Sequence, residues 1–411
     1  MSSHDIQPRD LVEQGSRYGI ILSMSTEKLL REFVRRALHE EVRRKFEMYI
    51  PDDLRDIAAM FKSAGHQLFV VGGSVRDALL GKDPKDYDVA TDAVPDTVSE
   101  ILSSDPTLKV LEIGKSFGVV KVVTLEKNEY EIATFRKDIG AGRRPDAVEF
   151  TSIETDVLRR DLTINALFYD IDAGEIVDYV GGISDIERGV VKAVGNAAER
   201  FAEDRLRILR ALRFAARMGS RLDAETDSAI KNDNKLTGVS PERIRDEFLK
   251  GILSAQSVPN FLGMIEEYDL WSQIFPGMPI AVTSANTKNV PVLLATLLIG
   301  NDPMVVAKKL NVLKYNAVET AQVSFLLRFM GLRPENAFRM NKMFKSSHLT
   351  PDDLLEFSEH AHEPGQQLVD AFVEYEPKVT GDQLMSQGFT GQALGKEMER
   401  LETQAFKELL R

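Results

Sequence analysis

The chain has 411 residues, is 43% hydrophobic and 28% charged, and contains no cysteine; 52 Lys and Arg against 64 Asp and Glu give a formal net charge of -12. A chain of this length and apolar share buries a full core and divides into roughly two to four domains. The composition excludes a disordered, collagen-like or disulfide-stapled chain. The missing cysteine excludes a thiol nucleophile, an iron–sulfur cluster and a Cys-built zinc site. The acidic balance argues against a basic coat over the whole surface, while a local basic stripe stays compatible with nucleic acid.

Residues 1–24 carry neither a pattern nor a signal-peptide stretch, and no apolar run approaches the ~20 residues of a membrane span. The chain therefore reads as soluble and cytoplasmic, with no membrane partner; the sequence sets no oligomeric state. From Ser25 a helix is predicted, with Leu29, Phe33, Leu38, Val42 and Phe46 along one face. Its cations, Arg31, Arg35, Arg36, Arg43, Arg44 and Lys45, read either as a basic arm or as a solvated face balanced by Glu32, Glu40, Glu41 and Glu47. Pro51 starts a further helix ending near Gly65. Leu68 to Val71 predicts a buried strand that runs through Gly72-Gly73-Ser74 into a helix from Val75 to Leu80. Lys85 to Ala90 is short and extended, and strands follow at Val119 to Leu125 and Tyr130 to Phe135. From Ala197 onward the periodicity is almost entirely helical.

Gly72-Gly73-Ser74-x-Arg76-Asp77 is the first constellation. A strand–Gly–Gly–helix turn lets backbone approach a phosphate, and Arg76 could fork onto a phosphate oxygen. A plain structural turn is the alternative. Asp86 and Asp88, two apart on an extended segment, aim both carboxylates to one face, which suits a hard cation such as Mg2+. Glu131, on a later strand, reads either as a third carboxylate of that site or as a solvated edge. Next come Arg159-Arg160-Asp161, with Thr163 and Asn165. Then Glu203-Asp204-Arg205 opens a stretch, 205–221, of six arginines and no acid. Spacings of three, three, four and four put Arg207, Arg210, Arg213, Arg217 and Arg221 on one helical stripe, suited to a triphosphate or an RNA backbone.

Taken in order, GGxVRDxLL with DxD, RRDxTxNAL, DxxGGxxD (Asp178, Gly181, Gly182, Asp185), EDxxRxLRxxRF and Glu242-Arg243-Ile244 with Glu247 resemble the class II tRNA nucleotidyltransferases, the CCA-adding enzymes, together with bacterial poly(A) polymerases. Thr380-Gly381-Asp382-Gln383-Leu384 with Gly388, Gly391 and Gly395 is similar to their tail segment. The resemblance implies an α+β chain: a polymerase β-like nucleotidyltransferase head with a mixed sheet at 51–180, then an all-α neck at 181–260, body at 261–345 and tail at 346–411. Residues 1–50 form an N-terminal extension of open role.

The resemblance further implies Asp86 and Asp88 as ligands of two Mg2+ ions, while Glu131 is a further catalytic candidate on its strand position alone. Gly72, Gly73, Arg76, Arg160, Asp204, Arg207, Arg210 and Arg213 become nucleotide-binding positions. Asp204 and Arg207 match the pair that selects the base. A carboxylate accepts from the amino group of cytosine or adenine, and arginine donates to cytosine N3 and O2 or to adenine N1; uracil and guanine would present a carbonyl to the carboxylate. The implied activity is template-independent addition of CCA to the 3′ end of tRNA from CTP and ATP. Poly(A) addition, partial CC or A addition, and a catalytically inactive RNA-binding protein are the alternatives. The loop Lys137 to Val148 and the segment Gly114 to Gly118 favour CCA addition within that family. Lys308 to Ser347, with eight Lys or Arg and two Glu, is expected to meet the tRNA elbow. Two departures stand out: Arg205 replaces the usual proline after Glu-Asp, and Leu162 replaces the usual aromatic after Arg-Arg-Asp.

Overall fold

The computed structural model describes residues 42–84, 86–112, 114–139 and 147–411. Most of the predicted N-terminal helix, with Arg31, Arg35 and Arg36, lies outside the described residues, as does the middle of the 137–148 loop. The chain forms two compact units. The first runs to Arg136 and takes in Phe150–Val157 and Asn165–Gly181; the second comprises Lys137–Glu149, Leu158–Ile164 and Gly182–Arg411.

The first unit is built on a sheet of strands β1 (Arg43–Lys45), β2 (Leu68–Val71), β3 (Asp88–Thr91), β4 (Lys109–Leu111), β5 (Val119–Val123), β6 (Glu129–Thr134), β7 (Phe168–Asp170) and β8 (Glu175–Val177). Their spatial order is β1-β8-β7-β2-β3-β6-β5-β4. Every neighbouring pair is antiparallel except β3 and β6, which run parallel with Asp88 beside Glu131. All four residues of β2 are buried, as the unbroken Leu-Phe-Val-Val run requires of a central strand. Phe69, Phe135 and Phe168 pack ring against ring with centroids 5.8, 6.2 and 5.9 Å apart. Helix α1 (Asp52–Ser63) lays Leu54, Ile57, Ala58 and Phe61 into the core. Asp53 in its first turn accepts from the Thr124 hydroxyl at 2.8 Å, Asn128 at 2.8 Å and the Tyr130 hydroxyl at 2.7 Å, fastening α1 to the β5–β6 turn.

The end of the predicted N-terminal helix is different in the structure. Arg43 to Lys45 is a strand pairing with β8, and Arg43 bonds Asp170 at 3.2 Å and Glu175 at 3.3 Å. Amphipathic spacing favoured a helix; a free sheet edge with acids in register won locally. The extension thus contributes its last residues to the head.

The second unit is mainly helical and holds a parallel two-stranded pair, β9 (Val190–Val191) and β10 (Arg221–Leu222). Its helices include α3 (Ala197–Glu203), α4 (Leu206–Met218), α5 (Ala224–Asn232), α6 (Pro241–Ser254) and α7 (Val258–Glu267), and helices continue to the 19-residue Gly391–Leu409. Residues 182–411 fall in this unit, together with 137–149 and 158–164 of the region expected as head. Helix α4 ends at Gly219, left-handed at φ 62°, so the expected arginine stripe breaks there and Arg221 sits on β10. Phe248, Phe261, Trp271 and Phe275 cluster where α6 and α7 meet the following turn. Among the described residues no helix is long and apolar enough to cross a membrane.

Candidate active site

In the first unit the chain leaves β2 through Gly72, whose φ of 70° only glycine adopts readily, and enters helix α2 (Gly73–Leu79). The Gly72 amide donates to Leu167 O at 3.0 Å, which pins the turn to β7's approach. Ser74 donates its hydroxyl to the Asp86 carbonyl at 2.6 Å, so the glycine turn fixes the backbone of the first aspartate. Asp86 lies in a bend just before β3 and Asp88 opens the strand; both are exposed. Strict alternation along one strand therefore covers only the second of them. Glu131 lies across from Asp88 in the β3–β6 register and is exposed. Among the described residues no three acidic or histidine side chains group closely enough to hold a metal, so Glu131 is not gathered with the two aspartates.

Two exposed carboxylates of hard oxygen, the first with its backbone held by the Ser74 hydroxyl, nevertheless fit Mg2+. That ion binds through one or two carboxylates and completes its shell with water and substrate phosphates. Arg76 is placed differently from the expected phosphate fork. It is 3% exposed, donates to Asn165 Oδ1, and meets Asp77 at 2.9 Å. A guanidinium so enclosed braces α2 against the 163–165 turn.

In the second unit a cavity of about 430 Å³ is lined by Arg160, Asp204, Arg207 and Arg210, with Arg159 and Asp161 from the RRD segment and Arg243, Asp246, Glu247 and Lys250 from α6. Asp204, at the break between α3 and α4, accepts from the Leu206 amide at 3.1 Å and from Arg243 at 2.6 Å. Arg207 donates to Glu203 at 2.7 Å, Arg200 O at 3.2 Å and Arg159 O at 3.1 Å. A guanidinium has five N–H groups, so two of its donors meet no acceptor among the described residues. Arg210 pairs with Asp161; burial alone would lower its pKa, but Asp161 and Glu247 hold it up, and it stays charged. Arg213 is buried and bonds Glu247 Oε1, away from solvent.

Four predicted residues, Arg160, Asp204, Arg207 and Arg210, thus share one cavity, and Arg213 sits behind it joining α4 to α6. Arg243 as the partner of Asp204 was missed, as were Asp246 and Lys250. Their signal was available: positions 243, 246, 247 and 250 recur at helical spacing opposite the apolar Ile244, Phe248 and Ile252.

Residues 68–192 match the poly A polymerase head domain, and residues 221–280 match a domain described as the probable RNA and SrmB-binding site of polymerase A. Curated proteins similar to the chain are named CCA-adding enzymes. The chain is 46% identical to that of Bacillus pumilus over 190 residues, covering 45% of this chain and 46% of the relative. It is 40% identical to that of Lactobacillus johnsonii over 230 residues, covering 51% and 56%. The chain matches about half the length of these curated relatives. Among solved structures, the CCA-adding enzyme of Bacillus stearothermophilus in complex with CTP superposes with a TM-score of 0.67 at 25% identity, over 87% of this chain and 94% of that one. The Thermotoga maritima CCA-adding enzyme, solved with tRNA, shares the fold at a TM-score of 0.66 and 19% identity, over 90% of this chain and 98% of that one.

Proposed function

We propose that the chain is a tRNA nucleotidyltransferase that adds CCA to tRNA 3′ ends from CTP and ATP, releasing pyrophosphate. The observation that carries this reading is one cavity presenting both an acceptor carboxylate, Asp204, and two unengaged donors on Arg207. Asp204 accepts two hydrogen bonds within the protein, and an ionised carboxylate has about four lone-pair positions, so it can still take an amino proton. The two donors of Arg207 match cytosine N3 and O2; one of them suffices for adenine N1. Uracil or guanine would set a carbonyl against the carboxylate and leave a buried acceptor unpaired, which gives strong discrimination. Arg160 and Arg210 bring positive charge for the triphosphate.

In the head, Asp86 and Asp88 are the residues that would hold Mg2+, in a two-metal site. When bound, the ions supply activation of the tRNA 3′-hydroxyl and neutralisation of the leaving pyrophosphate. Gly72 and Gly73 keep side chains out of the way of an approaching phosphate, Ser74 holds the Asp86 backbone, and Arg76 keeps α2 in place.

The deciding assay incubates the protein with tRNA lacking CCA, Mg2+, CTP and ATP. The expected product is a complete CCA end, with no incorporation from UTP or GTP. Asp204→Ala with Arg207→Ala should lose that base selection. The family model of the head keeps one rival in view, homopolymer addition. A-tails on unrelated RNA, or CC ends that never receive A, would replace this reading with poly(A) or partial addition.

A further inference from the structure

Beyond the C-terminal end of α4 the second unit holds another cavity, of about 480 Å³, that shares no residue with the first. It opens where β9 and β10 run side by side, Val190 beside Arg221 and Val191 beside Leu222. Arg188, Lys192 and Arg221 bring positive charge to it, and Asp185, Asp223 and Asp227 bring negative charge.

The formal charges cancel, but the engagements do not. Asp185 is buried and accepts from the Thr163 hydroxyl at 2.7 Å and from Arg188 at 2.6 Å. Asp223 caps α5, accepting from the Thr226 amide at 3.0 Å. Asp227 accepts the Tyr268 hydroxyl at 2.6 Å and pairs with Lys231 at 2.9 Å. Every acid is committed to the fold. The side chains of Lys192 and Arg221 meet no acceptor among the described residues, although both line the cavity. What an incoming group meets is therefore a pair of unengaged cations on a braced backbone, a setting that selects an anion with several acceptor oxygens.

The spacing along the chain points to a particular anion. Arg207 starts α4 and Arg221 follows its end, and thirteen helical residues span about 20 Å. A stacked nucleic-acid strand carries a phosphate about every 3.4 Å of its axis. A strand whose 3′ end abuts the nucleotide in the first cavity would carry phosphates past the second about six steps further in. We infer that Lys192 and Arg221 form a clamp for the phosphate backbone of the RNA acceptor. The inference rests on the nucleotide-addition reading above and names where that acceptor is held.

The test is binding of tRNA to the full chain from about 50 to 200 mM salt, for the wild type and for Lys192→Gln with Arg221→Gln. Loss of two phosphate contacts should make the dependence of log affinity on log salt shallower by about 2. KM for tRNA should rise while kcat at saturating tRNA and KM for CTP hold. The charge-conserving pair Lys192→Arg with Arg221→Lys should keep the wild-type slope and shows that charge rather than shape is read. An unchanged slope in a glutamine variant with wild-type thermal stability overturns the clamp. So does polyglutamate binding whose affinity falls in the glutamine variant as that of tRNA does, since the site would then serve an acidic protein. The two readings separate cleanly. A wild type that completes CCA while the variant keeps its slope removes the clamp alone. A wild type that adds nothing, yet whose slope falls in the variant, removes the addition reading and keeps the clamp.

Discussion

Arg210 closes on Asp161 with two nitrogens, Nε at 2.7 Å and Nη2 at 2.6 Å, both on Oδ2. The contact joins α4 to the RRD segment, two stretches 49 residues apart in sequence. Asp161 Oδ1 meanwhile accepts from the Leu162 amide at 2.8 Å, so the carboxylate is shared between its own turn and the arginine. Removing either partner leaves the other without its opposite charge and without the two contacts on Oδ2. Asp161→Ala and Arg210→Ala should each destabilise by about 1–3 kcal/mol, and the double variant by less than the sum. Urea unfolding of the four proteins measures the coupling. Additive losses would mean that the pair is solvated in solution and contributes nothing of its own.

Asp86 and Asp88 are exposed on the surface of the head. Asp86→Asn with Asp88→Asn should leave the unfolding free energy within about 0.5 kcal/mol. Nucleotide addition should drop by about a thousandfold, equivalent to about 4 kcal/mol of transition-state stabilisation. Chelation of divalent ions should reproduce the loss in the wild type and change nothing further in the variant. Single-turnover addition and a thermal melt on the same samples check both halves.

The strand at 68–71 and the glycine turn after it were legible because an unbroken apolar run has few other places to go in an α/β head. Asp204, Arg207 and Arg210 were legible as a set, since their spacing is short-range and helical, whereas Arg160 came only from the resemblance carried by the RRD motif. Three features were not. Arg43 to Lys45 has helix-compatible spacing, and only the acids of β7 and β8, more than 120 residues away, make it a strand. Arg76 read as a ligand group because nothing local shows that Asn165 will enclose it. Arg221 read as part of one stripe because periodicity does not register Gly219, which ends the helix in a left-handed turn. In each case a long-range partner or one backbone angle overrode a local pattern.

The hydrogen bonds at Asp53 give stability an acid limb. Burial would raise the pKa of this carboxyl, but donors from Asn128, Tyr130, Thr124 and the Leu54 amide outweigh it, leaving it below its ordinary 3.8. A carboxyl with a depressed folded pKa contributes stability that is complete above the unfolded value and is lost as pH falls through the folded one. Its share should therefore be intact above about pH 5 and disappear below 3.8. Asp53→Asn should be less stable than wild type at neutral pH, and the gap should narrow toward pH 2–3, roughly. Denaturant midpoints across that range test it; a gap independent of pH would assign the loss to hydrogen-bond geometry rather than charge.

Gly251 lies inside α6, where alanine is the better helix former by up to about 1 kcal/mol. A Cβ there would nonetheless run into the Phe261 ring of α7, because these two helices pack with the glycine backbone under the aromatic. Phe261 is fully buried and stacks near Phe248, so it has little room to swing aside. Overpacking of this kind costs about 1–3 kcal/mol, more than the propensity gain. Gly251→Ala should therefore lower the unfolding free energy by about 1–2 kcal/mol, and Phe261→Leu added to it should recover part of the loss. The effect should also reach chemistry, because α6 carries Arg243 and Lys250 into the first cavity. Its displacement moves the partner of Asp204, so KM for CTP and ATP should rise in Gly251→Ala. If that variant melts at or above the wild type, the two helices separate at no cost, and close packing is not what sets the position of Arg243.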